Sequence, residues 1–340
     1  MITIDGTTGE GGGQVLRTSL ALSLVTGSPF TIERIRGGRA KPGLMRQHLA
    51  CVRAAAWVGA AVVEGDELGS SALVFRPTAS RGGETTIRIG SAGSCNLVVQ
   101  TVLPALLYAD QPSDVRIEGG THNPLAPSFE YLDQAFLPLI RRMGADVTLE
   151  LVRPGFAPAG GGEVRLRARP SRLTPLSLPD ATELGDVRVD AIVSSVPGNV
   201  GFRETERIRR RLGIPVEHTR TRTVAADGPG NCVWVTARTP ALTECFVGYG
   251  DRGRRAEAVA DEVADAYEQW RRFGPVGPHL ADQLMLPLAL AGGGAFTTGP
   301  LTLHSETNQW TIERFLPVRF ANEPAAGGRV KVTVGPAIPE

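Results

Sequence analysis

The chain has 340 residues, with 36 basic and 35 acidic side chains and a formal net charge of +1. That length predicts about two domains with ample material for a core, which excludes a peptide or a small disulfide scaffold. The balanced charge gives no overall field that would attract a polyanion, so any contact with nucleic acid must be local.

Lysine is almost absent from the basic residues, because only Lys41 and Lys331 occur and neither precedes Ser or Thr. A Walker A loop requires Gly-Lys followed by Ser or Thr, so the sequence excludes a P-loop. Any bound phosphate must therefore be held by arginines and by the backbone N–H groups of glycine turns.

The cysteines and the N-terminal segment bear on location. Cys51, Cys95, Cys232 and Cys245 are scattered without a C-x-x-C pair, which predicts neither a zinc site nor a disulfide framework. Residues 1–13 lack the pattern of a signal peptide, and no apolar run reaches about 18 residues. We therefore expect a cytoplasmic protein with no membrane span.

One α/β unit is predicted three times along the chain. Each copy opens with a short apolar helix that begins at a Gln, and these helices are predicted at 14–24, 100–107 and 283–290. Strand-like stretches follow the first two, at 30–35 and 114–118. A self-similar unit of this kind predicts a repeat architecture.

A second helix is predicted in the first two copies, at 49–58 and 132–143, each followed by a glycine and an alternating strand. The third copy is predicted to continue from residue 307 to a final strand at 329–334. The sequence therefore predicts an α/β (α+β) fold of three repeats, each with two helices and a four-stranded sheet, around a pseudo-threefold axis.

The stretch from about residue 178 to 273 lacks the repeat pattern and is predicted to be a small inserted α/β domain. The large domain then comprises 1–177 and 274–340. Within the insert, the loop between residues 216 and 232 is polar and is expected to be mobile.

A glycine turn at 9–14 (GEGGGQ) is predicted between the first strand and the first helix, where backbone N–H groups form an anion nest. The same pattern is also typical of a tight structural turn. Glu10 favours the functional interpretation, because a carboxylate among glycines suits a divalent metal shared with phosphates. The turn at 90–95 (GSAGSC) is its equivalent in the second copy.

Five cations lie within a short segment, at Arg34, Arg36, Arg39, Lys41 and Arg46. Glycines and a proline interrupt the segment, so pairing along a helix cannot explain them. Such a loop is predicted to bind phosphates. The alternative is an exposed loop with scattered ion pairs.

Five histidines can be weighed as nucleophiles: His48, His122, His218, His279 and His304. The polar loop of the insert contains His218, a turn contains His122, and a helix begins near His279. A strand-like stretch at 301–303 is predicted to end at His304, where α/β folds expose catalytic groups. From position alone, a structural role for His304 is still favoured.

Six segments together resemble the RNA 3'-terminal phosphate cyclase family, in the class with an adenylylated histidine. They are GEGGGQVLR (9–17), RGGRAKPGLMRQHL (36–49), GSAGSCNLVVQTVLPALL (90–107), GGTHNPLAP (119–127), LADQLMLP (280–287) and LHSETNQWTIERFLPVRF (303–320). The resemblance is collinear over nearly the whole chain. The predicted repeats and insert also agree with the fold of that family.

The resemblance implies an ATP-dependent enzyme that converts an RNA 3'-phosphate to a 2',3'-cyclic phosphate and releases pyrophosphate and AMP. It places the family's nucleophile at His304, which would form an adenylyl-histidine before the adenylate moves to the RNA end. An imidazole that is largely neutral at about pH 7 suits this role.

The resemblance also assigns binding roles. Glu10 matches a carboxylate near a divalent metal, Mg²⁺ or Mn²⁺. Residues matching the site of phosphates and the RNA end are Arg17, Arg36, Arg39, Arg46, Gln47 and His48. Residues matching the nucleotide pocket are Gln100, Pro127, His279, Leu280, Ala281, Asp282 and Gln283. The implied partner is RNA with a 3'-phosphate end; neither a membrane nor a protein partner is predicted.

Two positions depart from the family pattern. A Tyr is common where this chain has His279, and an acidic residue is familiar where it has His122. Both departures bear on nucleotide affinity or preference rather than on the type of reaction.

Two other functions remain as alternatives. A non-catalytic, cyclase-like assembly factor would bind RNA, but that branch lacks the histidine that this chain has at 304. A small-molecule transferase is also possible, since similar α/β repeats build enolpyruvyl transferases and fold does not determine function. The transferase hypothesis gives His304 no clear role.

Overall fold

The structure is a computed structural model that describes residues 1–197 and 199–337. Within these ranges, sixteen strands form four sheets of four strands each. The predicted α/β class is confirmed. No helix in the described ranges is both long and apolar enough to cross a lipid bilayer.

The first unit is a sheet with two helices. Its elements are β1 (Ile2–Asp5), α1 (Gly13–Thr26), β2 (Phe30–Glu33), α2 (Arg46–Gly59), β3 (Val62–Glu64) and β4 (Leu73–Arg76). The strand order is β1-β2-β4-β3, in which β1 and β2 are parallel and the other pairs are antiparallel. Because parallel neighbours need a crossover, α1 connects β1 to β2 across the sheet.

The second unit has the same connections. Its elements are β5 (Gly83–Arg88), α3 (Cys95–Leu106), β6 (Ser113–Gly119), α4 (Phe129–Tyr131), a π-helical turn (Leu132–Phe136), α5 (Leu137–Arg142), β7 (Asp146–Arg153) and β8 (Gly162–Arg169). The order β5-β6-β8-β7 again has one parallel pair. The π-helical turn joins α4 and α5 into one helical segment where the sequence predicts a single helix.

The insert follows β9 (Leu176–Ser177). Its elements are β10 (Val187–Ser194), α6 (Asn199–Leu212), a 3₁₀ turn (Val216–His218), β11 (Thr219–Thr223), β12 (Gly230–Arg238), β13 (Thr243–Tyr249) and α7 (Ala256–Phe273). The expectation of one mobile polar loop from 216 to 232 was wrong. Its alternating threonines and arginines form β11, which pairs in parallel with β10.

The third unit is completed after the insert. Its elements are α8 (Pro278–Leu290), β14 (Gly294–Thr298), α9 (Leu303–Glu313), β15 (Val318–Ala325) and β16 (Arg329–Pro336). They form the order β15-β16-β14-β9, with β9 and β14 parallel, as in the first two units. Three sheets thus share one topology, and the pseudo-threefold axis stays a prediction.

The expectation that His304 ends a strand was wrong, because this residue lies in the first turn of α9. The side-chain oxygen of Thr302 accepts a hydrogen bond from the Ser305 N–H at 3.2 Å, which caps the helix. A Thr in this position stabilises a helix start, and the apolar residues beside it do not extend into a strand.

Two groups of buried apolar side chains fill the interior. The larger contains residues of all three repeated units, while the smaller lies within the insert, from Val189 to Trp270. In α1, ten residues from Gln14 to Leu24 are buried on all sides, as expected for a helix in the centre of a protein. The predicted domain boundaries at 178 and 273 stay predictions.

One buried carboxylate joins the insert to the third unit. Glu244 of β13 is 2% exposed and accepts a hydrogen bond from the backbone N–H of Gly277, which precedes α8, at 2.6 Å. Burial raises the pKa of Glu244 from 4.5 to about 8. This contact fixes the start of the helix that carries Asp282 and Gln283.

Glu244→Gln is expected to change how stability depends on pH. The folded-state pKa of Glu244 is raised, so its contribution to the free energy of unfolding is present below about pH 4.5 and is lost as the pH rises through about 8. Gln keeps an acceptor for Gly277 but does not titrate. Urea unfolding from about pH 5 to about pH 8 should show the wild type losing at least about 1 kcal/mol relative to the variant.

The matched control is Glu67→Gln, which changes an exposed carboxylate. Its unfolding curve should run parallel to that of the wild type over the same range of pH. Parallel curves for Glu244→Gln as well would contradict the role given to burial.

Candidate functional site

The glycine turn before α1 packs closely against two other segments. Gly9 and Gly11 have φ of 60° and 58°, in the left-handed region that favours glycine. A Cβ at Gly9 would overlap the side chain of Thr307 in α9, and one at Gly11 would lie 2.8 Å from the backbone N of Gly38. The turn therefore brings together the start of α1, helix α9 and the loop of residues 34–46, which we call the arginine-rich loop.

Glu10 lies where these segments meet. Its carboxylate forms an ion pair with Arg39 of the arginine-rich loop, and its Oε2 lies 2.8 Å from Nε2 of His304. Its backbone N–H donates to the hydroxyl of Thr307 at 3.2 Å. The Glu10 side chain is 19% exposed and that of His304 is 49% exposed, so the imidazole faces solvent while the carboxylate lies behind it.

A chain of hydrogen bonds holds the other side of His304. Gln14 Nε2 donates to Asp282 Oδ1 at 2.7 Å, which leaves Gln14 Oε1 as an acceptor. Nδ1 of His304 donates to that oxygen at 2.9 Å. The proton of the neutral ring is therefore on Nδ1, and the lone pair is on Nε2, beside Glu10.

The environment keeps this imidazole neutral. Desolvation is the main cause that lowers the pKa of His304, and the cations Arg17 and Arg39 lower it further, while Asp282 opposes them. Burial raises the pKa of Asp282, against the attraction of His304 and the hydrogen bond from Gln14. A neutral imidazole with a lone pair on Nε2 can act as a nucleophile at neutral pH, and that role of His304 stays a prediction.

A second neutral histidine lies next to Arg17. A Cβ at Gly13 would overlap Nε2 of His48 and would lie 2.9 Å from Nη1 of Arg17, so both side chains reach the start of α1. Burial, together with repulsion from Arg17 and Arg36, lowers the pKa of His48 to about 3. The start of α1 thus has a guanidinium and a neutral imidazole, both of which can donate to an anion.

The donor set near Glu10 fits a divalent cation. Glu10 Oε2 is buried and, among the described residues, accepts no hydrogen bond, while the atom nearest to it, His304 Nε2, carries a lone pair in the neutral ring. A buried carboxylate oxygen that lacks a donor favours a bound cation or a proton. One carboxylate that shares its ion with phosphates and water is a typical Mg²⁺ arrangement.

Three of the five cations in the arginine-rich loop have partners within the first unit. Arg34 forms an ion pair with Asp5, and Arg36 donates to the backbone oxygens of Lys41 and Gly43 at 2.6 and 3.0 Å. Ion pairs, which the alternative interpretation of this loop expects, are therefore present at Arg34 and, with Glu10, at Arg39. Phosphate binding by Arg36, Arg39 and Arg46 stays a prediction.

Gln47 connects the first unit to the second glycine turn. Its Oε1 accepts a hydrogen bond from the backbone N–H of Ser94 at 2.8 Å. The predicted glycine turn at 90–95 therefore lies beside the start of α2, which carries Gln47 and His48.

The residues predicted for the nucleotide pocket lie in different environments. Leu280 and Ala281 are buried in the core, at 0% and 1% exposure, whereas His279 is exposed. Partial desolvation, followed by repulsion from His304 when that ring is protonated, lowers the pKa of His279.

Three further residues predicted for this pocket lie in different environments. Gln283 Oε1 is buried and has no partner in the described part of the chain. The carbonyl of Pro127 accepts from Asn96 at 2.8 Å, and Gln100 is half-buried on α3. The role of this set in nucleotide binding stays a prediction.

His122 lies in a separate buried cluster. Its Nε2 is 3.0 Å from both carboxylate oxygens of Glu130, and its ring stacks on Phe156. Cys232 offers a sulfur within 4.8 Å of the same ligand atoms, although the cysteine spacing predicts no metal site. His122 is 1% exposed and hydrogen bonded at both nitrogens, so it is held in the interior without access to solvent.

Sequence reasoning missed Gln14 and Thr307 as members of the site. A signal for Gln14 was present, since Gln is the first residue of each predicted apolar helix. Thr307 had no such signal, because its hydroxyl reaches Glu10 only through the packing of the glycine turn on α9.

Comparisons with known proteins agree with the resemblance. A family model described as RNA 3'-terminal phosphate cyclase matches residues 8–322. Three curated relatives carry the same name. That of Ectopseudomonas mendocina is 50% identical over 94% of both chains. That of Ralstonia nicotianae is 49% identical over 97% of both chains. That of Salmonella enteritidis PT4 is 46% identical over 96% of this chain and 97% of its own.

Asp282→Asn is expected to lower the pKa of His304 further. The negative charge of Asp282 raises that pKa, so its removal leaves desolvation and the two arginines unopposed. NMR titration of the imidazole, assigned with a His304→Gln variant, should show a lower pKa than in the wild type. Asp265→Asn on the insert should leave the value unchanged; an unchanged or higher value in Asp282→Asn would contradict the assignment.

Proposed function

The chain belongs to the RNA 3'-terminal phosphate cyclase family, and we propose that it uses ATP to convert an RNA 3'-phosphate to a 2',3'-cyclic phosphate. The observation that carries the proposal is the state of His304. Its Nδ1 donates to Gln14, and its Nε2 lies at a solvent-facing position, 2.8 Å from Oε2 of Glu10. A neutral imidazole held in this way can form a covalent bond to phosphorus and then pass the phosphorus group on.

In the first step, Nε2 of His304 attacks the α-phosphorus of ATP. A phosphorus–nitrogen bond forms, and the bond to the β-phosphate oxygen breaks, which releases pyrophosphate. The ring then carries a positive charge, with its proton still on Nδ1 and donated to Gln14. The carboxylate of Asp282, hydrogen bonded to Gln14 at 2.7 Å, stabilises that charge.

In the second step, an oxygen of the RNA 3'-phosphate attacks the same phosphorus, and Nε2 of His304 leaves with its electron pair. In the third step, the neighbouring 2'-hydroxyl attacks the activated RNA phosphorus. AMP leaves with the electrons of the broken bond, the hydroxyl proton passes to solvent, and the cyclic phosphate remains. At the end of the cycle, His304 is again a neutral imidazole.

Cationic and neutral donors at the start of α1 support binding of the reacting phosphates. Arg17, Arg39 and His48 can each donate to phosphate oxygens, and a charge-assisted hydrogen bond contributes about 1.5–3 kcal/mol. Glu10 would hold the divalent metal, Mg²⁺ or Mn²⁺. When bound, that ion would offset the negative charge of the phosphates.

The chemistry also bears on location. The four cysteines are free and buried, and the reaction needs no oxidising compartment. We propose that the protein acts in the reducing environment of the cytoplasm, as the sequence predicts.

His304→Ala should abolish transfer of label from α-labelled ATP to the protein in the presence of Mg²⁺ or Mn²⁺. The reason is that the variant has no nitrogen on which the phosphorus–nitrogen bond can form. The measurement is the acid-labile, base-stable label on the protein, together with conversion of a 3'-phosphorylated oligoribonucleotide to its cyclic form. His218→Ala, on the surface of the insert, is the control that should keep both activities.

Undiminished labelling of His304→Ala would refute the assignment of the nucleophile. A folded wild-type protein that binds RNA but neither takes up label nor cyclises the RNA end would support the non-catalytic alternative.

Gln14→Leu is expected to slow labelling by about 10²-fold while ATP binding changes little. Gln14 is a positioning residue, since it fixes the proton of His304 on Nδ1 and connects the ring to Asp282. The rate of labelling as a function of pH is the measurement, because a ring that exchanges its proton between both nitrogens changes that profile. Gln111→Leu, at an exposed position, is the control. A normal rate and profile in Gln14→Leu would contradict the role.

A further inference from the structure

A groove of about 310 Å³ lies between helix α2 and strand β5. Its lining residues are Arg46, Leu49, Ala50, Arg53, Ala54 and Trp57 on α2, and Thr85 to Ile89 on and just after β5. The helical members recur at intervals of three and four residues, so they form one face of α2. β5 is the edge strand of its sheet, so one side of its backbone is available to a ligand.

One end of the groove lies at the start of α2, whose His48 reaches the start of α1. At that end, Gln47 accepts a hydrogen bond from the Ser94 N–H, and a Cβ at Gly93 would lie 3.1 Å from the Cβ of Gln47. At the other end, a Cβ at Gly83 would lie 4.0 Å from the indole of Trp57. The groove thus runs from the start of α2, beside His48, to its last turn.

The charge of the groove is positive. Its lining residues include Arg46, Arg53 and Arg88 and no acidic side chain. Arg88 pairs with Glu118 at 2.9 Å, whereas Arg46 and Arg53 have no carboxylate within 4.0 Å in residues 1–197 and 199–337. Both unpaired guanidinium groups belong to exposed residues and can therefore donate to an anion.

The far end of the groove offers an aromatic surface. Trp57 is half-buried, and the guanidinium of Arg81 lies 5.8 Å from the centre of its ring. An indole next to arginines is a typical stacking site for an unpaired base, and each stacked base contributes about 1–3 kcal/mol. Arginines that hold a backbone and an aromatic ring that stacks a base are the combination that single-stranded nucleic acid requires.

We propose that this groove binds the RNA strand on the 5' side of its terminal phosphate, an inference that rests on the proposed function. The arginines contact backbone phosphates, and Trp57 stacks a base. The eleven-residue interval from Arg46 to Trp57 spans about 16 Å at the rise of an α-helix. At about 3.4 Å per stacked nucleotide, this length corresponds to about four or five nucleotides lying along the groove.

The length of the substrate tests the proposal. We would compare a 3'-phosphorylated dinucleotide with an octanucleotide of the same 3' sequence. For the wild type, the KM of the octanucleotide should be about tenfold lower, since only the longer strand reaches Trp57. In Arg53→Ala and Trp57→Ala that difference should fall to about twofold or less, with little change in kcat. Arg252→Ala, an exposed arginine on the insert, is the control.

A second measurement does not depend on catalysis. Binding of the labelled octanucleotide without ATP, followed by fluorescence anisotropy at several salt concentrations, should weaken about tenfold in Arg53→Ala. The slope of log K against log salt should decrease by about 0.7, as expected when one phosphate contact to a single strand is lost. Arg53 is exposed, so this variant should keep the melting temperature of the wild type.

The two proposals fail in different ways. If the wild type cyclises both substrates with equal KM, or if Arg53→Ala binds the octanucleotide as the wild type does, the groove proposal is wrong and the proposed function stands. If no RNA end is cyclised, the proposed function fails. Loss of octanucleotide binding in Arg53→Ala would then still support the groove as a site for single-stranded RNA.

Discussion

The hydrogen-bonded chain from His304 through Gln14 to Asp282 is the constraint on which the site depends. Its three residues lie on α9, α1 and α8, so the chain exists only if the first and third repeats pack in one register. Because Gln14 must accept from the imidazole, the lone pair of His304 is left on Nε2. The chemistry of the site thus follows from the orientation of one amide.

The glycine turns make this packing possible. Gly9 has no side chain to overlap Thr307, so the turn lies directly on α9 and brings Glu10 Oε2 to 2.8 Å from Nε2 of His304. Gly13 also lacks a side chain, so the side chains of His48 and Arg17 can lie against the backbone at the start of α1. The charged and neutral donors lie close together there because glycines let the backbone of the turn approach the neighbouring segments.

The second repeat and the insert extend and support this centre. The bond between Gln47 and Ser94 joins the site to the groove beside β5, so the reacting end and the proposed strand path share helix α2. On the opposite side, Glu244 of the insert fixes the start of α8. On α6, the arginines at 203, 207 and 211 pair with acids of α7, so the charges of these three arginines are offset within the insert.

The sequence alone determined the α/β class, most helices of the repeated units and the family, because apolar periodicity and glycine turns are local features. It also identified Glu10, Arg39, Asp282 and His304 as members of one site through their motifs. Only the tertiary structure decided that Thr302 starts a helix before His304, that Arg34 is ion paired, and that Gln14 connects Asp282 to the imidazole. The cap at Thr302 is a local contact that the sequence analysis missed. The ion pair of Arg34 and the bonds of Gln14 join residues about 30 to 300 positions apart, and such distances in sequence carry no local signal.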